Sequence, residues 1–97
     1  MVSLGEVRAS LRRELPRLRT QYGLRSLAVF GSVARCEQGA DSDVDLVASF
    51  IETPSLLRLL EVQNDLSDTL GNRVDLVLED GLKPLIARNI LRELVPV

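Results

Sequence analysis

The 97-residue sequence has no histidine, no tryptophan and only one cysteine. The absence of histidine excludes Ser-His-Asp and Cys-His catalysis and histidine-ligated metal centres. The single cysteine, Cys36, excludes an internal disulfide and cysteine-based zinc sites, and without histidine to activate it we do not expect a catalytic thiol. Any chemistry must therefore use carboxylates, arginines, hydroxyl groups and backbone amides.

The sequence also contains few aromatic residues and has a small net charge. Tyr22, Phe30 and Phe50 are the only aromatic residues, too few to build a base-stacking platform. The formal net charge of −2 argues against a protein that coats nucleic acid, so we expect no stable nucleic-acid binding. There is no secretory signal pattern and no apolar run approaching the roughly 18 residues of a membrane-spanning helix. We therefore expect a cytoplasmic protein that does not associate with membranes.

Hydrophobic residues make up 45% of the sequence, enough for the packed core of a single domain over residues 1–97. Ser3 is placed to cap an amphipathic helix that continues to Gly23, and Pro16 is expected to kink or divide that helix. The segments 26–30, 43–50 and 74–78 predict three strands, the first of them an apolar run buried at the centre of a sheet. In the second strand, alternation places Val44, Leu46 and Ala48 on one face and Asp43, Asp45 and Val47 on the other.

Three further helices are predicted between and after these strands. A short one runs from Ser32 to about Glu37, before a loop at 39–42. The next begins at Thr53-Pro54, ends at Gly71 and should bury Leu56, Leu59, Leu60, Leu66 and Leu70. A turn at 79–81 leads to a last helix that opens at Pro84. The order α-β-α-β-α-β-α predicts an α/β fold, with a small mixed β-sheet of three strands packed with helices.

The first strand ends directly at Gly31-Ser32, where the short helix begins. Unpaired backbone N–H groups at such a junction point into one concavity and favour a phosphate, and the Ser32 hydroxyl can add a hydrogen bond. Gly-Ser after a strand is more often an ordinary turn. This pair of residues is therefore weak evidence for a phosphate site when taken alone.

Three aspartates offer the second half of a site. Asp43 and Asp45 are two residues apart on a predicted strand, so their carboxylates project from the same face. Such a pair is stable only if a metal ion or an arginine neutralises it, and oxygen ligands suit Mg²⁺ or Mn²⁺. Taken alone, Asp-x-Asp is more often a solvated pair at a strand edge. Asp75 lies between apolar residues of the third strand, and it could join the pair if the two strands are adjacent. The set would then form a two-metal site for phosphoryl or nucleotidyl transfer, with Asp75 helping to deprotonate the nucleophile.

Gly31-Ser32, ten intervening residues and Asp43-Val44-Asp45 resemble the signature of the polymerase-beta-like nucleotidyltransferase superfamily. The longer pattern, which includes Val33-Ala34-Arg35 and Ser42, is similar to its minimal branch, the MNT domains. The resemblance covers essentially the whole chain and implies the nucleotidyltransferase fold. One departure is Cys36, where many relatives carry glycine. Cysteine is a poor substitute if that position needs a positive φ.

The resemblance also implies ATP as donor and two Mg²⁺ ions held by Asp43, Asp45 and Asp75. Nucleotide binding would use Gly31, Ser32, Arg35 and Ser42. Ser32 would contact the β- and γ-phosphates. Arg35 would either neutralise phosphate charge or be an ordinary exposed helix residue.

Larger members of the superfamily have an additional helical domain that binds the acceptor, so here a second protein or a homo-oligomer is expected to supply it. MNT proteins are typically antitoxins that add AMP to a hydroxyl, usually of tyrosine, on a HEPN ribonuclease toxin. This is the leading hypothesis. The alternatives are an antitoxin that blocks its toxin by complex formation without catalysis, and a nucleotidyltransferase that acts on a small molecule.

Overall fold

The computed structural model describes residues 3–35, 43–79 and 94–97. The elements in order are α1 (Leu4–Tyr22), β1 (Leu24–Phe30), α2 (Gly31–Ala34), β2 (Val44–Phe50), α3 (Leu56–Leu70), β3 (Val74–Leu78) and β4 (Val95–Pro96). The predicted loop at 39–42 and the predicted last helix from Pro84 lie outside the described residues, as do Cys36 and Ser42. The short helix α2 begins one residue earlier than predicted, and its predicted end also falls outside them.

The strands form a mixed sheet in the order β3-β2-β1-β4. β1 runs antiparallel to both β2 and β4, whereas β2 and β3 are parallel and α3 forms the crossover between them. The mixed sheet and the α/β class are confirmed, but the prediction of three strands is wrong. The fourth strand is the two-residue β4, which pairs with Ala28 and Val29 of β1. A segment this short carries no sequence periodicity of its own.

The core lies between one face of the sheet and the long helices α1 and α3. From the sheet, Val44, Leu46 and Ala48 of β2 are fully buried, as the alternation of that strand predicted. The helices contribute Val7, Leu11 and Leu18 from α1 and Val62 and Leu66 from α3. The alternating faces of β2 thus separate the core from the face that carries Asp45.

α1 is one uninterrupted helix despite Pro16, so of the two expected effects of this proline, division of the helix is wrong and a kink stays a prediction. Its ends follow local rules: the Ser3 hydroxyl accepts a hydrogen bond from the Glu6 N–H, and Gly23 caps the other end with φ 70°. The apolar face of α1 is buried on both sides of Pro16. This burial outweighs the loss of the single backbone hydrogen bond that proline removes.

β1 is internal to the sheet, as predicted, but it is not buried on both faces. It begins at Leu24, two residues earlier than expected, and Arg25 and Ser26 are exposed. Leu27 and Val29 are buried, whereas Ala28 and Phe30 are half-buried. A register shift between Leu24 and Ser26 marks an irregularity at the start of the strand. The sequence did not show this alternation, because Ala28 and Phe30, on the more exposed face of the strand, are also hydrophobic.

α3 starts at Leu56, two residues later than Thr53-Pro54 predicted. Ser55 is the N-cap, and its hydroxyl accepts a hydrogen bond from the Arg58 N–H at 3.1 Å. Serine caps a helix at least as well as threonine, so the competing cap nearer the apolar stripe is used.

The buried face of α3 also differs from the prediction. Leu66 is buried and Leu59 and Leu70 are half-buried, but Leu56 and Leu60 are 74% and 44% exposed. Val62, which was not singled out, is fully buried instead. The first turn of α3 extends beyond the core, and leucine spacing alone does not show where a helix leaves the surface on which it packs.

Charged side chains join α1 to α3 outside the core. The Arg17 guanidinium donates two hydrogen bonds of 2.8 Å to the Asp65 carboxylate, and the Tyr22 hydroxyl donates a third of 2.6 Å. The hydrogen bond from Arg17 is the main reason that the pKa of Asp65 falls to about 2. The hydrogen bond to Asp65 likewise raises the pKa of Tyr22. The ionised form of Asp65 is therefore favoured in the folded protein.

None of the helices in the described parts of the chain combines the length and the apolar character needed to cross a membrane.

Asp65→Asn should lower the free energy of unfolding by about 1–2 kcal/mol at pH 7, because charge-assisted hydrogen bonds are lost. The folded-state pKa is lowered, so this stabilisation is present above the unfolded-state value near 4 and disappears as the pH falls towards about 2. Urea denaturation of both proteins at several pH values measures the difference. Asp68→Asn on the exposed side of α3 is the control, and an equal loss there would contradict the assignment.

Candidate active site

The three predicted aspartates lie at one end of the β2–β3 pair. Asp43 immediately precedes β2, Asp45 is its second residue, and Asp75 is the second residue of β3. Because β2 and β3 are parallel and Asp45 pairs directly with Asp75, their side chains project from the same face of the sheet. The strand adjacency on which the three-carboxylate hypothesis depended is therefore present.

Gly31 lies directly against the Asp45 carboxylate. Phe30 pairs with Asp45 across the β1–β2 ladder, and the next residue turns into α2 with φ 73°. A Cβ atom added to Gly31 would collide with Asp45 Oδ2. The two halves of the sequence motif therefore meet in space, and only glycine satisfies both the backbone angle and the close approach.

The predicted phosphate concavity starts at this turn. α2 has four residues, and the Arg35 N–H donates to the Gly31 carbonyl oxygen at 3.1 Å. A helix this short has little macrodipole, so its attraction for phosphate would depend on the orphan N–H groups of its first turn. Ser32 is half-buried in that turn, immediately after Gly31.

Electrostatic repulsion is concentrated on Asp45. Loss of hydration raises the pKa of this half-buried carboxyl, and the charges of Asp75 and Asp43 raise it further. The charge of Arg35 lowers the pKa of Asp45, so this exposed arginine acts on the site from the end of α2. A bound cation would relieve this repulsion between neighbouring carboxylates.

Arg73 is a site residue that the sequence prediction missed. Its Nε lies 3.9 Å from Asp43 Oδ1, and both side chains are well exposed, at 83% and 42%. The Val44 N–H donates to the Arg73 carbonyl oxygen at 2.9 Å, which holds this residue beside the start of β2. The only sequence signal for Arg73 was its position just before Val74-Asp75. Its proximity to Asp43 depends on the parallel pairing of β2 with β3.

The carboxylates fit Mg²⁺ by chemistry, since this ion prefers oxygen ligands and uses one or two carboxylates together with water and substrate phosphates. The repulsion at Asp45 is the structural observation that supports the fit. Within residues 3–35, 43–79 and 94–97, no group of three or more acidic or cysteine side chains is arranged to hold a metal ion. Complete coordination would therefore require ligands from substrate and water, or movement of the side chains.

The carboxylates beside a Gly-Ser turn on a small mixed sheet agree with the nucleotidyltransferase signature found in the sequence. The family model described as polymerase beta, nucleotidyltransferase matches residues 16–96. The chain belongs to this family and is a nucleotidyltransferase, as the sequence resemblance indicated.

Comparisons of the whole chain with known proteins match members of the minimal branch of the family. The chain is 44% identical to the protein adenylyltransferase MntA of Thermococcus cleftensis, over 100% of this chain and 98% of that protein. A solved structure provisionally described as a minimal nucleotidyltransferase is 40% identical, with a TM-score of 0.81 over 99% of this chain and 97% of the other.

A more distant structure shares the fold. It contains a tri-AMPylated HEPN toxin of Shewanella oneidensis in complex with an MNT antitoxin. The matching chain is 18% identical, with a TM-score of 0.69 over 93% of this chain and 70% of that one.

Gly31→Ala should destabilise the protein by about 2–4 kcal/mol, because it combines a strained positive φ with the collision against Asp45. Gly23→Ala is a matched control, since Gly23 has φ 70° but open space where its Cβ would lie. It should cost only about 1 kcal/mol from backbone strain. Chemical denaturation measures both variants. Equal losses would contradict the steric contact, as would a Gly31→Ala penalty that Asp45→Ala does not reduce.

Asp45→Asn should stabilise the metal-free protein by roughly 0.5–1 kcal/mol at pH 7, since it removes a half-buried charge that its neighbours repel. The raised folded-state pKa makes the charge unfavourable above the unfolded-state value near 4, so the gain should fade below that pH. Thermal unfolding in the presence of EDTA measures the change. A lower melting temperature for Asp45→Asn than for the wild type would contradict it.

Proposed function

We propose that the chain is an Mg²⁺-dependent protein adenylyltransferase that acts as an antitoxin. It transfers AMP from ATP to a hydroxyl group, that of a tyrosine, on a HEPN ribonuclease toxin. The observation that carries this proposal is the placement of Asp45 between Asp75 and the Gly31 turn. The relative named protein adenylyltransferase and the complex of an MNT antitoxin with an AMPylated HEPN toxin support the choice of reaction and partner.

Donor binding would use the turn after β1. The N–H groups of Gly31 and Ser32 would face the phosphates, with the Ser32 hydroxyl as a further donor. Arg35 is placed to add positive charge, since its field already reaches Asp45. Asp43, Asp45 and Asp75 would hold Mg²⁺, which when bound neutralises the triphosphate and lowers the pKa of an attacking hydroxyl. Ser42 is proposed as a further nucleotide contact on the motif alone.

The reaction would be an in-line displacement at the α-phosphorus of ATP. The acceptor hydroxyl oxygen forms the new P–O bond, the bond to the β-phosphate oxygen breaks, and pyrophosphate leaves. Asp75 would accept the proton of the acceptor hydroxyl. Asp75 is exposed, so a hydroxyl carried by another protein can reach it without entering a closed pocket. This exposure supports an acceptor on a separate chain.

The test is to incubate the protein with Mg²⁺, ATP labelled at the α-phosphate and a HEPN protein, for which the product of the neighbouring gene is the first candidate. Label should appear on a tyrosine of the HEPN protein. Asp43→Asn and Asp45→Asn should each reduce the rate at least about a hundredfold, because even residues that only support metal ligands contribute about 10- to 100-fold. Asp68→Asn, on the exposed side of α3, should leave the rate unchanged.

The same variants separate catalysis from simple complex formation. If the Asp43→Asn/Asp45→Asn protein still protects cells from the toxin as well as the wild type does, transfer is not the antitoxin mechanism. Protection that is lost together with labelling supports adenylylation. Label found on a small molecule in place of the HEPN protein would contradict the proposed acceptor.

A further inference from the structure

The outer edge of β3 is hydrogen-bonded to side chains of α3. β3 is an end strand of the sheet that the described residues form, so alternate N–H groups point away from β2. The Leu76 N–H donates to Gln63 Oε1 at 3.1 Å, and the Val74 N–H donates to Ser67 Oγ at 3.2 Å. Both hydrogen bonds are partly buried. An end strand normally leaves such groups to water or to another chain.

The spacing of the two contacts matches the geometry of both elements. Gln63 and Ser67 are four residues apart on the helix, a rise of about 6 Å. Val74 and Leu76 are two residues apart on the strand, a rise of about 6.6 Å. Since Gln63 contacts Leu76 and Ser67 contacts Val74, the helix and strand run in opposite directions and the pairs align. A shift of β3 by one residue would break both hydrogen bonds.

The Ser67 hydroxyl is oriented for this contact. It donates its proton to the Gln63 carbonyl oxygen at 2.9 Å, one turn earlier in α3. With its single proton committed, the oxygen can only accept from Val74. The Ser67 carbonyl oxygen also accepts from the N–H groups of Gly71 and Asn72, so the end of α3 and the connection to β3 converge on this residue.

Asp75 lies between the two anchored residues. Its own N–H points towards β2, because successive N–H groups of a strand alternate between its edges. Asp75 is paired with Asp45 in the parallel ladder, so two like charges lie side by side on one face of the sheet, which is destabilising. β3 must therefore be held in register against a force that tends to separate the two carboxylates.

We propose that Gln63 and Ser67 are positioning residues that hold the backbone on either side of Asp75, and so keep its carboxylate beside Asp45. The consequence for metal binding and transfer rests on the proposed function. The consequence for the backbone of β3 does not, and it can be measured in the metal-free protein.

Two matched pairs of variants test the proposal. Gln63→Met keeps the length of the side chain but removes the acceptor, whereas Gln63→Glu keeps an acceptor oxygen. Ser67→Ala removes the hydroxyl, whereas Ser67→Thr keeps it. Asn64→Ala, on the exposed side of the same helix, controls for general effects of changing α3. All measurements are made well below the unfolding transition of each variant.

The first readout is amide hydrogen exchange by NMR. In Gln63→Met and Ser67→Ala, the Asp75 N–H should exchange at least about tenfold faster than in the wild type, although it bonds to neither substituted residue. Gln63→Glu, Ser67→Thr and Asn64→Ala should stay near the wild-type rate. Faster exchange confined to Val74 and Leu76 would show that α3 merely covers the strand edge, and would overturn the proposal.

The second readout is Mn²⁺ affinity, followed by the electron paramagnetic resonance signal of the free ion. Gln63→Met and Ser67→Ala should weaken binding about tenfold, at the lower end of the effect of residues that orient metal ligands. The kcat for AMP transfer should fall while the KM for the HEPN protein stays within about twofold. Affinity and kcat equal to those of the wild type would overturn the positioning role. A wild-type protein that binds no Mn²⁺ would contradict the proposed function instead, and the exchange experiment would still decide on the backbone.

Discussion

The parallel pairing of β2 with β3 is the constraint on which the site depends, because it holds two like charges side by side. Asp45 and Asp75 occupy paired positions, and their repulsion is opposed by the apolar residues that alternate with them. Val44, Leu46, Val74 and Leu76 bury the opposite face of the same two strands in the core. Hydrophobic burial on one face therefore stabilises an unfavourable arrangement of charge on the other. The charge of Arg35 lowers the pKa of Asp45 but does not offset the raising effects of burial and of the neighbouring carboxylates, and Arg73 lies 3.9 Å from Asp43.

The sequence was most informative where one short-range rule determined the structure. Ser3 as a cap, Gly23 as a helix end and the alternation of β2 all depend on residues close together in the chain, and all were confirmed. The start of α3 was missed for a local reason, because two adequate caps lie close together in the sequence. The other errors have non-local causes: β4 is a strand only because it pairs with β1. Leu56 and Leu60 have the spacing of a buried helix face, but the core does not extend far enough to cover them.

The residues of the candidate site fall into the same two groups: those that the local sequence predicts and those that depend on tertiary contacts. Gly31, Asp43 and Asp45 could be named because their spacing matches a family signature, and Asp75 because it is an acidic residue inside an apolar strand. Arg73, Gln63 and Ser67 are ordinary residues locally: an arginine before a strand, and two polar residues on a helix. Arg73 comes close to Asp43 only when β3 pairs with β2, and Gln63 and Ser67 contact the edge of β3 only when α3 packs against it. Residues that support a site are therefore harder to find from sequence than residues that form it.

The same geometry explains why the site is open to a second molecule. Near Gly31, the turn lies against Asp45 with no room for a Cβ atom. Asp75 is exposed, and β3 is an end strand of the sheet that the described residues form. On the proposed function, a phosphate would approach the backbone amides of the turn, whereas an acceptor hydroxyl would approach the exposed carboxylate. Because side chains of α3 accept from the outward N–H groups of Val74 and Leu76, these groups are not free to pair with an added strand.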